Sequence, residues 1–241
     1  MAEQQLAASA DQTEVVAECL GVKVPASRYL HENRIARINA AEYEGHEIRG
    51  SLHVVGSEDV VLEIGAGIGL VGAVIASNNA PKKVHSFEAN PELIPEIRSL
   101  YALNGLEEVI EVQNTVLLTG EDQPDTIQFH LRNSYLGSSL IEAEGKVRKT
   151  VEVPTADFNK ICSELEPTVL VMDIEGGELD LLRHADLSPF RAVVLEFHPG
   201  AYGIEGMREC KSILRDAGFV RIDEKSTRIV WACERPKAAE S

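Results

Sequence analysis

The chain lacks the features that mark secreted, membrane or zinc-binding proteins. Its four cysteines are scattered and form no CxxC pair: Cys19, Cys162, Cys210 and Cys233. This spacing excludes the common zinc patterns and a dense disulfide framework, and it favours reduced thiols. The first 22 residues contain no basic segment followed by an apolar one, and no apolar run approaches the ~20 residues that span a bilayer. We therefore expect a soluble, cytoplasmic protein with no signal peptide.

Basic residues are also scarce. The 23 lysines and arginines stand against 39 acidic residues, which leaves a formal net charge of −16 at pH 7. Such a surface repels nucleic-acid phosphates and anionic lipid headgroups. We therefore expect neither nucleic acid nor a membrane as a partner. Nothing in the sequence sets the oligomeric state.

From Val60 onward, short β-branched runs alternate with helical patterns, which predicts βαβ units around a parallel sheet. The predicted strands are Val60–Ile64, Lys83–Glu88, Ile110–Val116, Thr168–Asp173 and Ala192–Phe197, with a closing antiparallel hairpin at Phe219–Asp223 and Thr227–Cys233. The predicted helices are Leu70–Ser77, Pro91–Leu103, Asp157–Glu164, Gly177–His184 and Gly206–Ala217. This order of elements is typical of a doubly wound α/β fold.

The segment before Val60 follows a different pattern. Residues 1–24 are rich in Ala, Glu and Gln and are predicted to be helical or frayed. A helix at Arg34–Ala41 and extended chain over His46–Val55 are predicted next. We therefore divide the chain into an N-terminal helical and extended extension, residues 1–57, and an α/β domain, residues 58–241.

The first predicted strand runs directly into a glycine-rich turn. Gly65, Gly67 and Gly69 stand at alternate positions, and an apolar helix follows them. Glycine lets the backbone turn sharply and approach a ligand closely. The helix N-terminus beyond the turn offers unpaired N–H groups and a positive dipole end. This arrangement predicts a binding site for a polar ligand.

An acidic residue at the next strand end indicates that the ligand contains a ribose. Glu88 lies 19 positions after Gly69, and Asn90 and Pro91 behind it are typical of the start of a helix. In a doubly wound sheet the two strand ends are neighbours, and a carboxylate there can accept hydrogen bonds from both ribose hydroxyls. We therefore predict a nucleoside-containing ligand.

Two nucleoside cofactors fit the glycine pattern. The run from Gly67 to Gly72 satisfies the dinucleotide pattern GxGxxG, so an NAD-dependent oxidoreductase is an alternative. However, the first glycine after the strand is Gly65, and the sixth position counted from it is Leu70. Glu63 at the strand end is suited to the ammonium of an amino acid and would repel a pyrophosphate. These features favour a nucleoside that carries an amino acid.

The run from Glu63 to Gly69 resembles the first motif of class I methyltransferases that use S-adenosylmethionine (AdoMet), and Phe87–Pro91 resembles their second. The resemblance implies a Rossmann-like, seven-stranded, mostly parallel sheet of order 3-2-1-4-5-7-6, with strand 7 antiparallel and helices on both faces. It makes residues 58–241 the AdoMet-binding methyltransferase domain. The implied cofactor-binding residues are Glu63, Gly65, Ala66, Gly67, Gly69, Glu88, Ala89, Asn114 and Asp173.

A second acidic stretch resembles the signature of one particular family of class I methyltransferases. An apolar strand ends at Asp173, and Asp173-Ile-Glu175-Gly-Gly-Glu178 is similar to the D-x-E-G-x-E signature of FkbM-type methyltransferases. The chain departs from that family's pattern at Gly67, where the family usually has Asn. Acids ahead of a helix N-terminus also stabilise the helix by roughly 0.3–1 kcal/mol, which is the alternative role of Asp173 and Glu175. Glu178 lies inside the predicted helix and is expected to be a capping or structural residue.

The family resemblance implies O-methylation, with a hydroxyl of a small molecule or sugar as acceptor. We predict that Glu175 or His198 is the general base and that Asp173 orients the cofactor or the acceptor. The acceptor pocket is expected to draw on residues 25–57 and 117–154. A non-catalytic AdoMet-fold binding protein is the remaining alternative, although a protein without activity would have no need of Glu63, Glu88 and Asp173.

A divalent metal is a less favoured addition to this site. Asp173, Glu196 and His198 follow neighbouring predicted strands, and two carboxylates with an imidazole can hold Mg²⁺ or Mn²⁺. We therefore predict no metal ligand among the site residues.

Overall fold

The computed structural model describes residues 14–131 and 149–236. Its centre is a seven-stranded sheet, and a hairpin and a three-stranded sheet lie beside it. The strands are β1 (Val15–Cys19), β2 (Val22–Pro25), β3 (Val60–Ile64), β4 (Lys83–Phe87), β5 (Ile110–Gln113), β6 (Val116–Leu118), β7 (Thr126–Leu131), β8 (Lys149–Asp157), β9 (Val169–Met172), β10 (Ala192–Glu196), β11 (Val220–Arg221) and β12 (Val230–Glu234). The helices are α1 (Glu32–Asn39), α2 (Gly45–Val54), α3 (Leu70–Asn79), α4 (Ile94–Leu103), α5 (Phe158–Leu165), α6 (Glu178–Leu182) and α7 (Pro199–Asp216).

The central sheet has the order β5-β4-β3-β9-β10-β12-β11. Counted along the chain within this sheet, that order is 3-2-1-4-5-7-6. The neighbours from β5 to β10 pair in parallel, and β12 pairs antiparallel with β10 and β11. The predicted fold class is therefore confirmed.

Both faces of the sheet are covered. Along β3, Val61 packs into a core with α2, α3 and α4, whereas the next residue, Leu62, packs into a second core with α5, α6 and α7. Successive side chains of a strand point to opposite faces, so a strand covered on both sides reads as a continuous apolar run. None of the helices in the described residues combines the length and hydrophobicity that a membrane crossing would require.

Two predictions for the N-terminal segment were wrong. Residues 15–25 form the antiparallel hairpin β1–β2 instead of a helix. Residues 45–54 form α2 instead of extended chain, although two glycines lower the helix propensity of this segment. The second of them, Gly50, faces the sheet, where a Cβ would come within 3.2 Å of Val194 and Ala232. Close packing on the sheet stabilises a helix that its residue propensities do not favour.

The predicted strand Ile110–Val116 is divided in the structure. The central sheet keeps β5, and β6 joins the three-stranded sheet of order β6-β8-β7. This small sheet buries its own apolar cluster, which contains Val116, Phe129, Leu131 and Val153. The middle of the irregular segment, residues 132–148, lies outside the described residues.

The carboxyl ends of β3, β4 and β9 meet at Gly65. Its N–H donates to the carbonyl of Phe87 at 2.8 Å, and the Asp173 N–H donates to the carbonyl of Ile64 at 2.9 Å. Gly65 has φ of +86°, and a Cβ there would overlap the carbonyl oxygen of Asp173. The sequence analysis attributed this glycine to ligand approach, but contact between two strand ends already requires it.

We predict that Gly65→Ala lowers the unfolding free energy by roughly 2–4 kcal/mol, because it adds a clash with backbone to the strain of a positive φ. Gly105→Ala is the matched control, since φ there is +65° and a Cβ would meet nothing within 4 Å. The control should lose only about 1–2 kcal/mol. Urea unfolding of both variants measures the difference, and equal losses would contradict the clash.

Candidate active site

A cavity of about 370 Å³ lies at the carboxyl ends of the central strands. This volume falls within the range of small-molecule and cofactor sites, roughly 300–1,000 Å³. Gly65, Gly67 and Glu88 line one part of it. The opposite wall is largely apolar and comes from β6, β7 and the loop before α6: Val116, Leu117, Leu118, Ile127, Phe129 and Ile174.

Glu88 is buried between the glycine turn and the start of the next helical segment. Its Oε2 accepts the Gly67 N–H at 2.8 Å, and its Oε1 accepts the Asn90 N–H at 2.7 Å. A carboxylate has about four lone-pair positions, so Glu88 keeps acceptor capacity for a hydroxyl of a ligand in the cavity. Burial raises the pKa of Glu88 to about 7 against the opposing effect of its backbone hydrogen bonds, and the charge of Glu175 adds to the rise.

Asn114 supports this part of the site from behind. Its side-chain amide donates to the carbonyls of Glu88 and Ala89 at 2.9 and 3.0 Å. Ala89 and the neighbouring Thr115 line the cavity, whereas Asn114 does not. The structure therefore places Asn114 where it fixes the backbone that follows β4.

The remaining residues of the glycine motif support the turn instead of lining the cavity. Ala66 is buried and accepts the Gly69 N–H at 2.7 Å. Gly69 packs on α4, where a Cβ would come within 2.8 Å of Ile97. Only Gly65 and Gly67 of the motif's glycines line the cavity.

Glu63 does not face the cavity. Its side chain is 2% exposed and accepts a hydrogen bond from the Ser86 hydroxyl and another from the Gly72 backbone. Tyr101 donates in turn to Ser86 at 3.3 Å. The sequence analysis expected Glu63 to hold the ammonium of the cofactor, and the structure instead places it inside the protein behind the glycine turn. Burial raises its pKa to about 7, opposed by these two hydrogen bonds.

Asp173 and Glu175 lie on the loop between β9 and α6, and both line the cavity. Glu175 has φ of +54° and Gly176 has φ of +116°. A non-glycine residue in this region costs about 1–3 kcal/mol, and such residues cluster at functional sites. Burial raises the pKa of Glu175, and it raises the pKa of Asp173 to about 7 against the opposing charge of His198.

His198 connects the three acids of this loop. Its Nε2 lies 3.6 Å from both Asp173 Oδ1 and Glu175 Oε2, and its Nδ1 lies 2.9 Å from Glu178 Oε1. Burial lowers the pKa of His198, but the hydrogen bond and charge of Glu178, with the charges of the other two acids, raise it to about 9. His198 is not among the cavity-lining residues, and it contacts two that are, Asp173 and Glu175.

Glu178 makes a contact in the structure that the sequence did not predict. Its carboxylate is fully buried, accepts the Gly176 N–H at 3.0 Å and meets His198. The first contact holds the loop before α6 and is not a cap of the helix, whose N-cap is Gly177. The second joins residues 20 positions apart and depends on how α6 packs against α7, which begins directly after His198. The signature spacing D-x-E-G-x-E was the available signal for it.

Two further acids come from the start of α2, which the sequence analysis placed in extended chain. Glu44 lines the cavity with φ of +49°, and Glu47 is 7% exposed. Burial raises the pKa of Glu44 well above its usual range, and the charges of Asp173 and Glu47 add to this. The extension therefore contributes to the site, but its polar residues carried no recognisable motif.

The charge of the cavity discriminates between the two cofactors considered above. Among the described residues its lining contains five acids and no lysine, arginine or histidine: Glu44, Glu88, Asp173, Glu175 and Asp180. AdoMet carries a sulfonium and an ammonium against one carboxylate, so this lining attracts it. NAD carries a pyrophosphate, which the same lining repels. The residues present therefore fit AdoMet.

Comparison with known families gives a match over most of this region. The family model described as "Methyltransferase FkbM domain" matches residues 63–221. The matched range begins at Glu63 and runs through the acidic loop and β10 to β11. No match was found among curated proteins.

Solved structures of similar shape include several methyltransferases. Precorrin-6y C5,15-methyltransferase from Geobacter metallireducens is 13% identical with a TM-score of 0.47, over 92% of this chain and 98% of that one. TYW2 from M. jannaschii, solved in complex with AdoMet, is 14% identical with a TM-score of 0.41, over 89% and 82%. Ribosomal protein L11 methylase from Lactobacillus delbrueckii subsp. bulgaricus is 15% identical with a TM-score of 0.46, over 79% and 77%.

We predict that Glu63 makes stability depend on pH. Its pKa is raised by burial in the folded state, so the unfolding free energy should fall by about 1.4 kcal/mol per pH unit between roughly pH 4.5 and 7 on its account. Glu63→Gln removes the charge and keeps an oxygen for Ser86 and Gly72. Urea unfolding at several pH values should therefore give a shallower decline for the variant, and parallel curves would contradict the assignment.

Proposed function

Because the chain belongs to the methyltransferase FkbM domain family, and is thus an AdoMet-dependent methyltransferase, we propose that it methylates a hydroxyl of an uncharged small molecule or sugar. Membership in this family removes the oxidoreductase and non-catalytic alternatives. Bound AdoMet supplies an electrophilic methyl group on a sulfonium. The residues of this chain must then hold the acceptor hydroxyl in line with that methyl group and take up its proton.

The cofactor contacts that we propose lie along the glycine turn. Glu88 accepts hydrogen bonds from the ribose hydroxyls. It uses the lone pairs that are not occupied by the N–H groups of Gly67 and Asn90. Asn114 holds the Glu88–Ala89 backbone in place for the same purpose. Asp173 faces the cavity from the adjacent strand end and orients the cofactor or the acceptor.

The position of Glu175 is the main observation that supports the proposed reaction. Its carboxylate lines the cavity, the backbone is held in a left-handed conformation, and the imidazole of His198 lies behind it. A carboxylate in this position can accept the proton of an acceptor hydroxyl as the oxygen–methyl bond forms. We assign this role to Glu175 because His198 does not line the cavity. His198, held by Glu178, positions Glu175.

The cavity wall supports an uncharged acceptor. Apolar side chains from β6 and β7 can pack against the carbon skeleton of such a molecule, and the carboxylates at the other end can accept hydrogen bonds from its hydroxyls. A phosphate or carboxylate on the acceptor would face several acids without a lysine or arginine in the described lining. Anionic acceptors are therefore disfavoured.

A panel assay tests the acceptor class. The purified chain is incubated with AdoMet and with uncharged sugars, phenols and alcohols, alongside matched amines, carboxylic acids and sugar phosphates. Formation of S-adenosylhomocysteine and the mass of the product are measured. The proposal expects transfer to oxygen of an uncharged compound. Transfer only to nitrogen, or only to anionic compounds, would refute it.

We predict that Glu88→Ala weakens AdoMet binding at least tenfold and up to about a hundredfold. The variant loses charge-assisted hydrogen bonds, each of which contributes about 1.5–3 kcal/mol. Calorimetric titration with AdoMet measures the change. Glu107→Ala is the control, since Glu107 is exposed and does not line the cavity, and its dissociation constant should match the parent protein. A change below threefold in Glu88→Ala would rule out the ribose contact.

We predict that Glu175→Gln reduces turnover by about 10²–10⁴, the usual contribution of a positioned acid or base, and leaves AdoMet affinity within about threefold. Turnover is measured with the best oxygen acceptor from the panel, and affinity by calorimetry. Glu107→Gln serves again as the exposed control. Unchanged turnover in Glu175→Gln would remove Glu175 from the role of base.

A further inference from the structure

Acidic side chains are concentrated between the cofactor cavity and His198. The group is formed by Glu44, Glu47, Asp173, Glu175, Glu178 and Glu196. In the described part of the chain, the ion pairs given for these acids are those of His198 with Asp173, Glu175 and Glu178. Glu47 and Glu178 are buried, and the other four acids are partly buried. Carboxylates withdrawn from water with little counter-charge are costly, so such a group favours a bound cation.

Three of these side chains converge on one point. Asp173, Glu196 and His198 each offer a ligand atom, and these atoms all lie within 4.8 Å of one another. Ligands on one ion with bonds of ~2.1 Å stand about 3–4.2 Å apart. Two atoms at the full 4.8 Å would therefore have to approach each other by about 0.6 Å or more to bind one ion.

The sheet explains why these atoms meet. Leu195 of β10 pairs with Met172 of β9, so Glu196 and Asp173 follow at neighbouring strand ends. His198 lies two residues beyond Glu196, which brings its side chain back towards the same side. The position of the set is therefore fixed by the pairing of two central strands.

Asp173 has an oxygen that no protein group satisfies. Its Oδ1 is buried from solvent, makes no hydrogen bond and lies 3.6 Å from Nε2 of His198. A buried carboxylate oxygen without a partner carries a large desolvation cost. An ion between Asp173 and His198 would remove that cost.

The other nitrogen of His198 has the partner that metal-bound histidines usually have. Nδ1 lies 2.9 Å from the fully buried carboxylate of Glu178. A hydrogen bond to a carboxylate fixes the tautomer so that Nε2 is left to bind the ion. The second carboxylate of the set, Glu196, is within hydrogen-bonding reach of Glu47. Glu47 is 7% exposed. Both contacts orient the ligand set.

We propose that Asp173, Glu196 and His198 form a binding site for one divalent cation of the Mn²⁺ and Mg²⁺ class. Carboxylates suit both ions, and the imidazole shifts the preference towards Mn²⁺. Three protein ligands leave coordination positions open on the side of the cavity, where water or a hydroxyl oxygen can complete the shell. Binding of the cation does not depend on the proposed acceptor, so it is tested without turnover.

The test uses the purified full-length chain, stripped of metal with EDTA and dialysed. Free Mn²⁺ is followed by electron paramagnetic resonance during a titration with MnCl₂. The proposal expects one ion bound per chain, displaced by excess Mg²⁺. Glu196→Gln and His198→Gln should each weaken binding at least tenfold. Glu111→Gln is the matched control, because Glu111 pairs with His85 at 2.8 Å on the protein surface. The control should bind as the parent protein does.

Two further measurements test whether the variants are folded and whether the ion binds at His198. Urea unfolding verifies that each variant is folded, because His198 contacts Asp173 and Glu175 of the cavity and AdoMet binding is therefore not an independent check. In the unaltered protein, substoichiometric Mn²⁺ should broaden the imidazole proton signals of His198 and spare those of His85. The proposal is overturned if folded, AdoMet-binding protein takes up no Mn²⁺ at millimolar concentration, if both variants bind as tightly as the control, or if His198 is not broadened.

Discussion

The close approach of Gly65 to the backbone of Asp173 is the contact on which the site depends. It joins the strand that carries the glycine turn to the strand that carries the acidic loop, while the Gly65 N–H ties both to the end of β4. Glu88, Gly67 and Glu175 then face one cavity because three strand ends are held together at that point. A side chain at position 65 would separate the cofactor half of the site from the acidic half. The glycine is therefore required by the protein's own packing as well as by a ligand.

The acids of the site fall into two groups with different surroundings. Glu63 accepts a backbone N–H of α3 and the Ser86 hydroxyl, and Glu88 accepts the N–H groups of Gly67 and Asn90, so their burial is compensated by hydrogen bonds. The acids around His198 have fewer such donors, and an oxygen of Asp173 has none. Hydrogen bonds satisfy a carboxylate locally, whereas unsatisfied oxygens attract a cation. This difference explains why the first group fits a structural and ribose-binding role and the second group fits the binding of an ion.

The sequence predicted the sheet well because alternating strand and helix patterns and the order of two motifs constrain it strongly. It also placed Glu88 at the correct strand end. It could not place Glu63, since a strand buried on both faces is apolar throughout and does not reveal which way its one acid points. It missed the contact of Glu178 with His198, because that contact arises only when α6 packs against α7. It also missed α2, whose Gly50 lowers helix propensity and is stabilised by packing on the sheet.

The acidic lining has opposite effects on the empty protein and on its complex. Without a ligand, neighbouring carboxylates repel one another and burial disfavours their charged forms, so part of the site is protonated near neutral pH. A sulfonium and an ammonium entering the cavity favour the charged forms and reduce that repulsion. A ligand that binds only the folded state stabilises it further by mass action. The negative charges that destabilise the ligand-free protein therefore favour binding of a cationic cofactor. The same negative charges disfavour binding of anionic nucleotides of similar size.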